Sequence, residues 1–390
     1  MPYRFTIYLL VFLLYACVDR VIFDVGDPGL LGIAIDGQIT NEPGPYYVRI
    51  ASAFDTESAN PIRKKIPVQG VKLFDNEGNT ETLHPFFGTD TWHTSPYGMQ
   101  GVPGRAYRIE VELENGTIIR SKPDTLFVGG TVDSVFFKFR QGQDRFTLKS
   151  TYGFDIYFNS TTAFSRSQYF LWNFTGTFKV TTHPQYFRTA CPQIAPDCDN
   201  PNIPCGCPFP LPCSGYALDR LTQAISYTGR PCTCCDCWVD VYNDKPIVNS
   251  LEKIQNGKFL NVHATYVALT PYNFMYKFRA EIQQVNISRR AFLFWKGIED
   301  QQNGVNSIFQ PVTGKLPENF EVIGENPGPV YGLFYASGVT SKSTYIQRRD
   351  IPNENVIPQD VPYKYVNKVD FGSCLDFPYS TTIKPAYWKD

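Results

Sequence analysis

Apolar and polar positions alternate along much of the chain, in short runs broken by turn-forming residues. The clearest run is 106–113, where Tyr107, Ile109, Val111 and Leu113 fall on one side of an extended strand. The run 70–75 alternates in the same way, and 31–35, 46–54 and 81–84 read as further strands. Residues 76–79 form a turn by composition, and Asn115-Gly116 is a hairpin signal from which 117–121 returns. Short strands with closely spaced turns, over about 100 residues, predict an immunoglobulin-like β-sandwich for 30–130. The cysteine pair of antibody domains is absent there, so this prediction rests on the pattern.

Gly129-Gly130 marks the expected boundary to a larger β-rich domain, sandwich or barrel-like, over 131–390. Its strands are expected at 132–139, 145–148, 154–158, 169–180, 238–242, 274–285 and 330–339. The run 169–180 is long and aromatic, which suits a central strand with a bulge or bend near Gly176, and its Trp172 reads as core. One helix stands out. Ser288 can cap it, Ile287 and Phe292 can staple its entry, and Ala291, Phe292, Trp295 and Ile298 share one face. That stripe reads as core packing, and the pattern fades at Asn303-Gly304. Residues 190–237 are rich in Pro and Cys and read as a stapled, disulfide-rich insertion. The Pro-rich tail 351–390 carries Cys374, expected to be tied to an earlier Cys.

The first residues change the picture. Arg4 and the apolar run 5–15 form a segment too short to span a bilayer, which needs roughly 20 apolar residues. It fits the h-region of a secretory signal over 1–16, and Leu14-Tyr15-Ala16-Cys17 ends it as a lipobox. The Cys17 thiol would then carry a diacylglycerol and its freed amine a third acyl chain, with 17–29 as a short tether. Acyl anchoring contributes about 0.8 kcal/mol per buried CH₂, so several chains hold a protein firmly on a membrane.

Composition agrees with a mainly β, exported protein. Aromatic residues make up 15% of the chain, with 30 Pro and 29 Gly, which favours strands and turns over long helices. A net charge of −1 gives no electrostatic basis for nucleic-acid binding. Apart from Cys17 there are ten cysteines: Cys191, Cys198, Cys205, Cys207, Cys213, Cys232, Cys234, Cys235, Cys237 and Cys374. The overlapping C-x-x-C spacings at 232–235 and 234–237, and the C-x-C at 205–207, could hold Zn²⁺ or Cu(I), or act in redox chemistry. An oxidising compartment, an even count and the lack of a flanking His favour disulfides over a metal, with the pairing open. No nucleophile elbow, zinc-protease motif or nucleotide-binding loop occurs in the right context, so neither catalytic residues nor a cofactor are expected. His84, His93, His183 and His263 do not cluster in sequence. Trp92 and Trp238 are the candidate contact aromatics. Four N-glycosylation sequons and two Asp-Ser/Thr-apolar tripeptides (124–126 and 133–135) are short enough to occur by chance.

Three segments, taken in order, resemble a known family: 35–45 (IDGQITNEPGP), 101–109 with 116–123, and 286–295 followed by 307–309 and 330–338. With the lipobox they resemble the Bacteroidota outer-membrane lipoproteins known as domain of unknown function 4249. The Cys-rich insertion resembles that family's Cys-plus-Trp element around Cys235 and Trp238. The resemblance implies lipid anchoring in the outer membrane, with the extracellular face preferred, and a non-enzymatic accessory or ligand-capturing role beside a TonB-dependent transporter. It supplies no catalytic residue. The alternative is a structural or adhesive envelope protein, and a glycan-acting enzyme ranks third.

Overall fold

The computed structural model describes residues 32–53, 65–143, 150–162, 168–186, 212–218, 225–254, 256–270, 272–304, 319–352 and 373–389. The first part of the chain forms β1 (Ile33–Thr40), β2 (Tyr47–Ser52), β3 (Val68–Asp75), β4 (Thr80–Thr82), β5 (His84–Pro85), β6 (Thr91–His93), β7 (Ala106–Leu113), β8 (Ile118–Ser121) and β9 (Asp124–Thr125). Longer strands follow: β10 (Thr131–Gln143), β11 (Ser150–Thr161) and β12 (Tyr169–Thr181). After them come β13 (Tyr216–Leu218), β14 (Ile225–Tyr227), β15 (Asp236–Tyr242), β16 (Ile247–Ser250), β17 (Lys258–Ala268) and β18 (Lys277–Ile287). Helix α1 (Arg289–Gly304) precedes β19 (Phe320–Ile323), β20 (Val330–Gln347) and β21 (Ser380–Thr381). The mainly β class expected from the alternation is the observed one.

A ten-stranded sheet organises the fold, in the order β21-β15-β12-β18-β20-β1-β2-β6-β5, with β16 also pairing β12. Its central strand is β20. This strand pairs antiparallel with β18 and parallel with β1, so Ile33 lies beside Val330 and Thr40 beside Ser337. Side chains alternate across a strand, and β20 uses both sides. Phe334 and Ala336 enter a core closed by the six-stranded sheet β19-β8-β7-β3-β4, in which β9 also pairs β7, and to which Tyr107, Ile109 and Val111 contribute. Farther along the same face, Ile346 enters a second core closed by β10-β11-β17, built around Phe154, Phe158, Phe170 and Trp172. Leu333, Tyr335 and Val339 face the other way, against α1. Gly332, paired with Ile35, has a φ of +103°, and a Cβ there would lie 2.0 Å from the Ile35 carbonyl oxygen, so no other residue fits.

Strand pairing therefore does not stop at Gly129-Gly130. The N-terminal strands form a sandwich, but one of its sheets continues through β20 into the C-terminal strands, and β19 pairs back with β8. Asp124 reinforces the junction: its carboxylate accepts from the Ala336 amide at 3.1 Å and from Arg290 of α1 at 3.1 Å. Of the bulge or bend expected near Gly176, the bulge is absent, since the register of β12 runs unbroken past it on both sides. Gly176 instead leaves room for the Phe278 ring, whose nearest carbon would lie 2.3 Å from an added Cβ. The strand expected at 145–148, the signal segment 1–16 and the tether 17–29 lie outside the described residues.

Candidate functional site

Both β cores lie on one side of the long sheet. The opposite side carries α1 over its middle and the last residues of the C-terminal segment, Tyr387 and Trp388, over one end. The alternation that sends Ile33, Ile35 and Ile39 of β1 into the core sends Ala34, Asp36, Gln38 and Thr40 outward. Tyr47, Arg49 and Ala51 of β2 project beside them. Two depressions on this outer face meet at Asp36. One, of about 410 Å³, runs toward α1 between Asp36, Gln38, Tyr47, Asn173, Trp295 and Tyr335. The other, of about 330 Å³, runs toward Arg49, Ala51 and Asp90.

Helix α1 supplies one wall. The Ser288 hydroxyl accepts from the Ala291 amide at 3.3 Å, starting the helix where the sequence predicts. Ala291 and Phe294 are buried on the sheet, while Phe292, Trp295 and Ile298 pack at its margin. The Trp295 ring meets Tyr335 edge-on, with centroids 6.4 Å apart. Gln38 donates to the Ser337 hydroxyl at 2.5 Å, which fixes its amide at the floor.

Asp36 reaches solvent through the mouth, yet protein crowds it on the remaining sides. Desolvation raises its carboxyl above the usual aspartate value, and Arg49 offsets part of that rise. Burial likewise pushes the Tyr335 hydroxyl up, and the nearby Asp36 charge adds to the effect. A carboxyl whose folded-state value is raised binds its proton more tightly in the folded protein. Its ionised form then costs stability above the folded pKa, and the cost disappears below the unfolded value. Because Asp36 is exposed and solvent screens its charge, Asp36→Asn should raise the thermal midpoint at pH 7 only slightly and leave it unchanged near pH 3. Equal midpoints for the two proteins at pH 7 would contradict this reading. Solvent screens most of this cost, so the place of Asp36 on a recognition surface rests on the side chains gathered around it. An aromatic wall, an amide, phenols and a carboxylate suit a polar ligand held by stacking and hydrogen bonds.

The cysteine candidates divide cleanly. Cys213 bonds to Cys234, Cys232 to Cys235 and Cys237 to Cys374. The overlapping C-x-x-C pattern thus closes one short bridge and sends its other two thiols elsewhere. Cys17, Cys191, Cys198, Cys205 and Cys207 lie outside the described residues. Among the described residues no group of three or more His, Cys, Asp or Glu is placed to hold a metal ion.

Of the two candidate contact aromatics, Trp238 requires correction. It is buried because Thr381 of β21 pairs beside it and the Lys179 ammonium lies over its ring at 5.8 Å. Trp92 is half-buried, packed on the N-terminal core at the edge of a separate depression near Ile50 and Pro85. Trp172 is fully buried, as expected. His263 is occupied by Asp155 at 3.0 Å, and His84 and His93 pair across the edge hairpin. Asp124 is committed to Arg290 and Ala336, so the tripeptide it begins has a structural duty. Sequence reasoning missed Asp36, Tyr47, Asn173 and Tyr335 as a group. Each is an ordinary outward position of a strand, and they gather only because β1 pairs with β20, which joins β2 on one side to β18 and β12 on the other.

No curated protein matches the chain. A family model described as a domain of unknown function, DUF4249, matches residues 27–343. The three resembling segments fall within that match, as do β1 to β19, helix α1 and most of β20. The chain belongs to the DUF4249 family.

Proposed function

We propose that this protein is a non-enzymatic lipoprotein of the outer membrane, anchored through Cys17 on the extracellular face, that captures a ligand for a TonB-dependent transporter or covers that transporter. The observation that carries this reading is the long sheet with one face left accessible between α1 and the C-terminal segment. Sheets packed on both faces make a core, whereas this one exposes a strip of Tyr, Asn, Gln and Asp side chains. The three disulfides among the described residues suit an oxidising compartment, and the short run ending at Cys17 suits export with acylation. No helix among the described residues is long and apolar enough to cross a membrane.

A second reading, as an adhesive surface protein, draws on the edge hairpin. Phe87 is 99% exposed and Tyr97 98% exposed, with Phe86 and Tyr47 ringed around His93. The two readings separate in one experiment. Purification of the acylated protein from native membranes in mild detergent should bring a β-barrel partner with it. Purification of the acylated protein alone favours adhesion.

A further inference from the structure

At the end of the outer face remote from Asp36, four cations from three neighbouring strands converge. The register of β12 with β18 ends at Phe178 opposite Phe278, so Lys179 and Lys277 come next, side by side and both outward. Gln347 of β20 pairs with Lys277, and Arg348 and Arg349 follow it directly. Like charges on adjacent strands repel and destabilise the pairing. Here the two ammonium groups are also held in place by rings. Lys179 lies 5.2 Å from the Tyr276 centroid, and Lys277 lies 5.0 Å from Tyr345 and 5.1 Å from Trp388. Some of this charge is already met: Asp236 pairs with Lys179 at 3.2 Å and also takes the Thr181 hydroxyl, and the Lys277 ammonium donates to the Lys389 carbonyl. Asp350 turns back to accept the Gln347 amide at 2.8 Å. The cations line a depression of about 680 Å³, with Tyr276 half-exposed at its rim and Trp388 in its wall. That volume lies within the range of small-molecule sites, about 300–1,000 Å³.

We propose that this depression is a binding site for a small soluble anion carrying two or more phosphate, sulfate or carboxylate groups. Spaced oxyanions would relieve the repulsion between Lys179 and Lys277 and take charge-assisted hydrogen bonds from Lys277 and Arg349, while Tyr276 closes over the ligand body. The site lies at the opposite end of the face from the Asp36 depressions, and it holds whether or not the protein sits beside a transporter.

Inorganic pyrophosphate and citrate serve as probes, titrated calorimetrically into the purified full-length protein in mild detergent at low and moderate salt. Both should bind, more weakly as salt rises. Arg349→Gln, an exposed position, should weaken both several-fold, and Lys277→Gln with Arg349→Gln tenfold or more at an unchanged thermal midpoint. Lys72→Gln, on the far sheet, removes the same charge and should leave binding intact. Failure of either probe to bind, equal loss in Lys72→Gln, or no loss in Arg349→Gln would overturn the proposal. Capture by phosphatidylglycerol vesicles without binding of the soluble probes would also overturn it, in favour of a lipid surface.

Discussion

Trp172→Ala should lower the unfolding free energy by about 3–5 kcal/mol, the largest effect expected of a single side chain here. The ring is fully buried at the centre of the C-terminal core, with Phe259 at 4.8 Å, Phe158 at 5.4 Å and Phe170 at 5.9 Å between centroids. Neighbours this large cannot collapse into the space vacated. The substitution also removes a buried hydrogen bond, in which the indole Nε1 donates to Gln284 Oε1 at 3.1 Å. Gln284 in turn donates to the Gly129 carbonyl at 3.1 Å, so the loss reaches the segment joining the two sandwiches. Trp172→Phe keeps most of the packing and should cost clearly less. Denaturant unfolding measures both, and a loss below about 1 kcal/mol for the alanine variant would contradict this account of the core.

Cys237→Ala with Cys374→Ala should cost about 2–5 kcal/mol, because that bridge closes a loop spanning 137 positions of sequence. Both residues are fully buried, and alanine avoids leaving an unpartnered hydroxyl. The bridge ties the start of the C-terminal segment into the second core, where Cys374 and Phe377 are buried; the segment then pairs at the sheet edge through β21 and ends on the outer face. On the core side the Cys374 amide reaches the Cys234 carbonyl at 3.0 Å; on the outer face Tyr387 lies over Arg279 at 3.9 Å, and the Tyr345 hydroxyl donates to the Tyr387 carbonyl at 2.9 Å. Without it, limited proteolysis should cut the segment after residue 373 well before the sheet. A tail that stays protected, together with an unchanged melting temperature, would show that noncovalent contacts alone hold it.

Much of the local structure is legible in the sequence because it depends on neighbours a few positions apart. The alternation of Tyr107, Ile109, Val111 and Leu113 gave a strand over 106–113, and all four are buried. Asn115-Gly116 forms the expected turn, with Gly116 at a φ of +83°. Ser288 starts the helix, and the tail cysteine finds an earlier partner. The long-range organisation is another matter. Nothing within reach of β1 in sequence says that it lies parallel to β20, about 300 residues later, because pairing register is decided by which faces both strands must bury. Without that pairing, Gly129-Gly130 looks like a break between independent halves. The same limitation hid the site, since Asp36 reads as the polar half of an alternating strand until Tyr335 and Trp295 are placed beside it. The strand expected to end at Val339 runs on to Gln347, because Ser341, Lys342 and Ser343 carry no apolar signal although their backbone pairs fully with β18. Trp238 went astray for a related reason: its cover comes from the Pro-rich tail, where no strand pattern is visible.

Purification of the native acylated protein in mild detergent, repeated with the outer face altered, tests the central claim most directly. Wild-type protein and Lys72→Glu, altered on the far sheet, should each recover a β-barrel transporter in comparable amount. Tyr47→Glu with Asn173→Arg, altered in the open depression, should lose it while staying folded and membrane-bound. Equal recovery by all three proteins, or recovery by none, would contradict the claim that the open face of the long sheet is where this protein meets its partner.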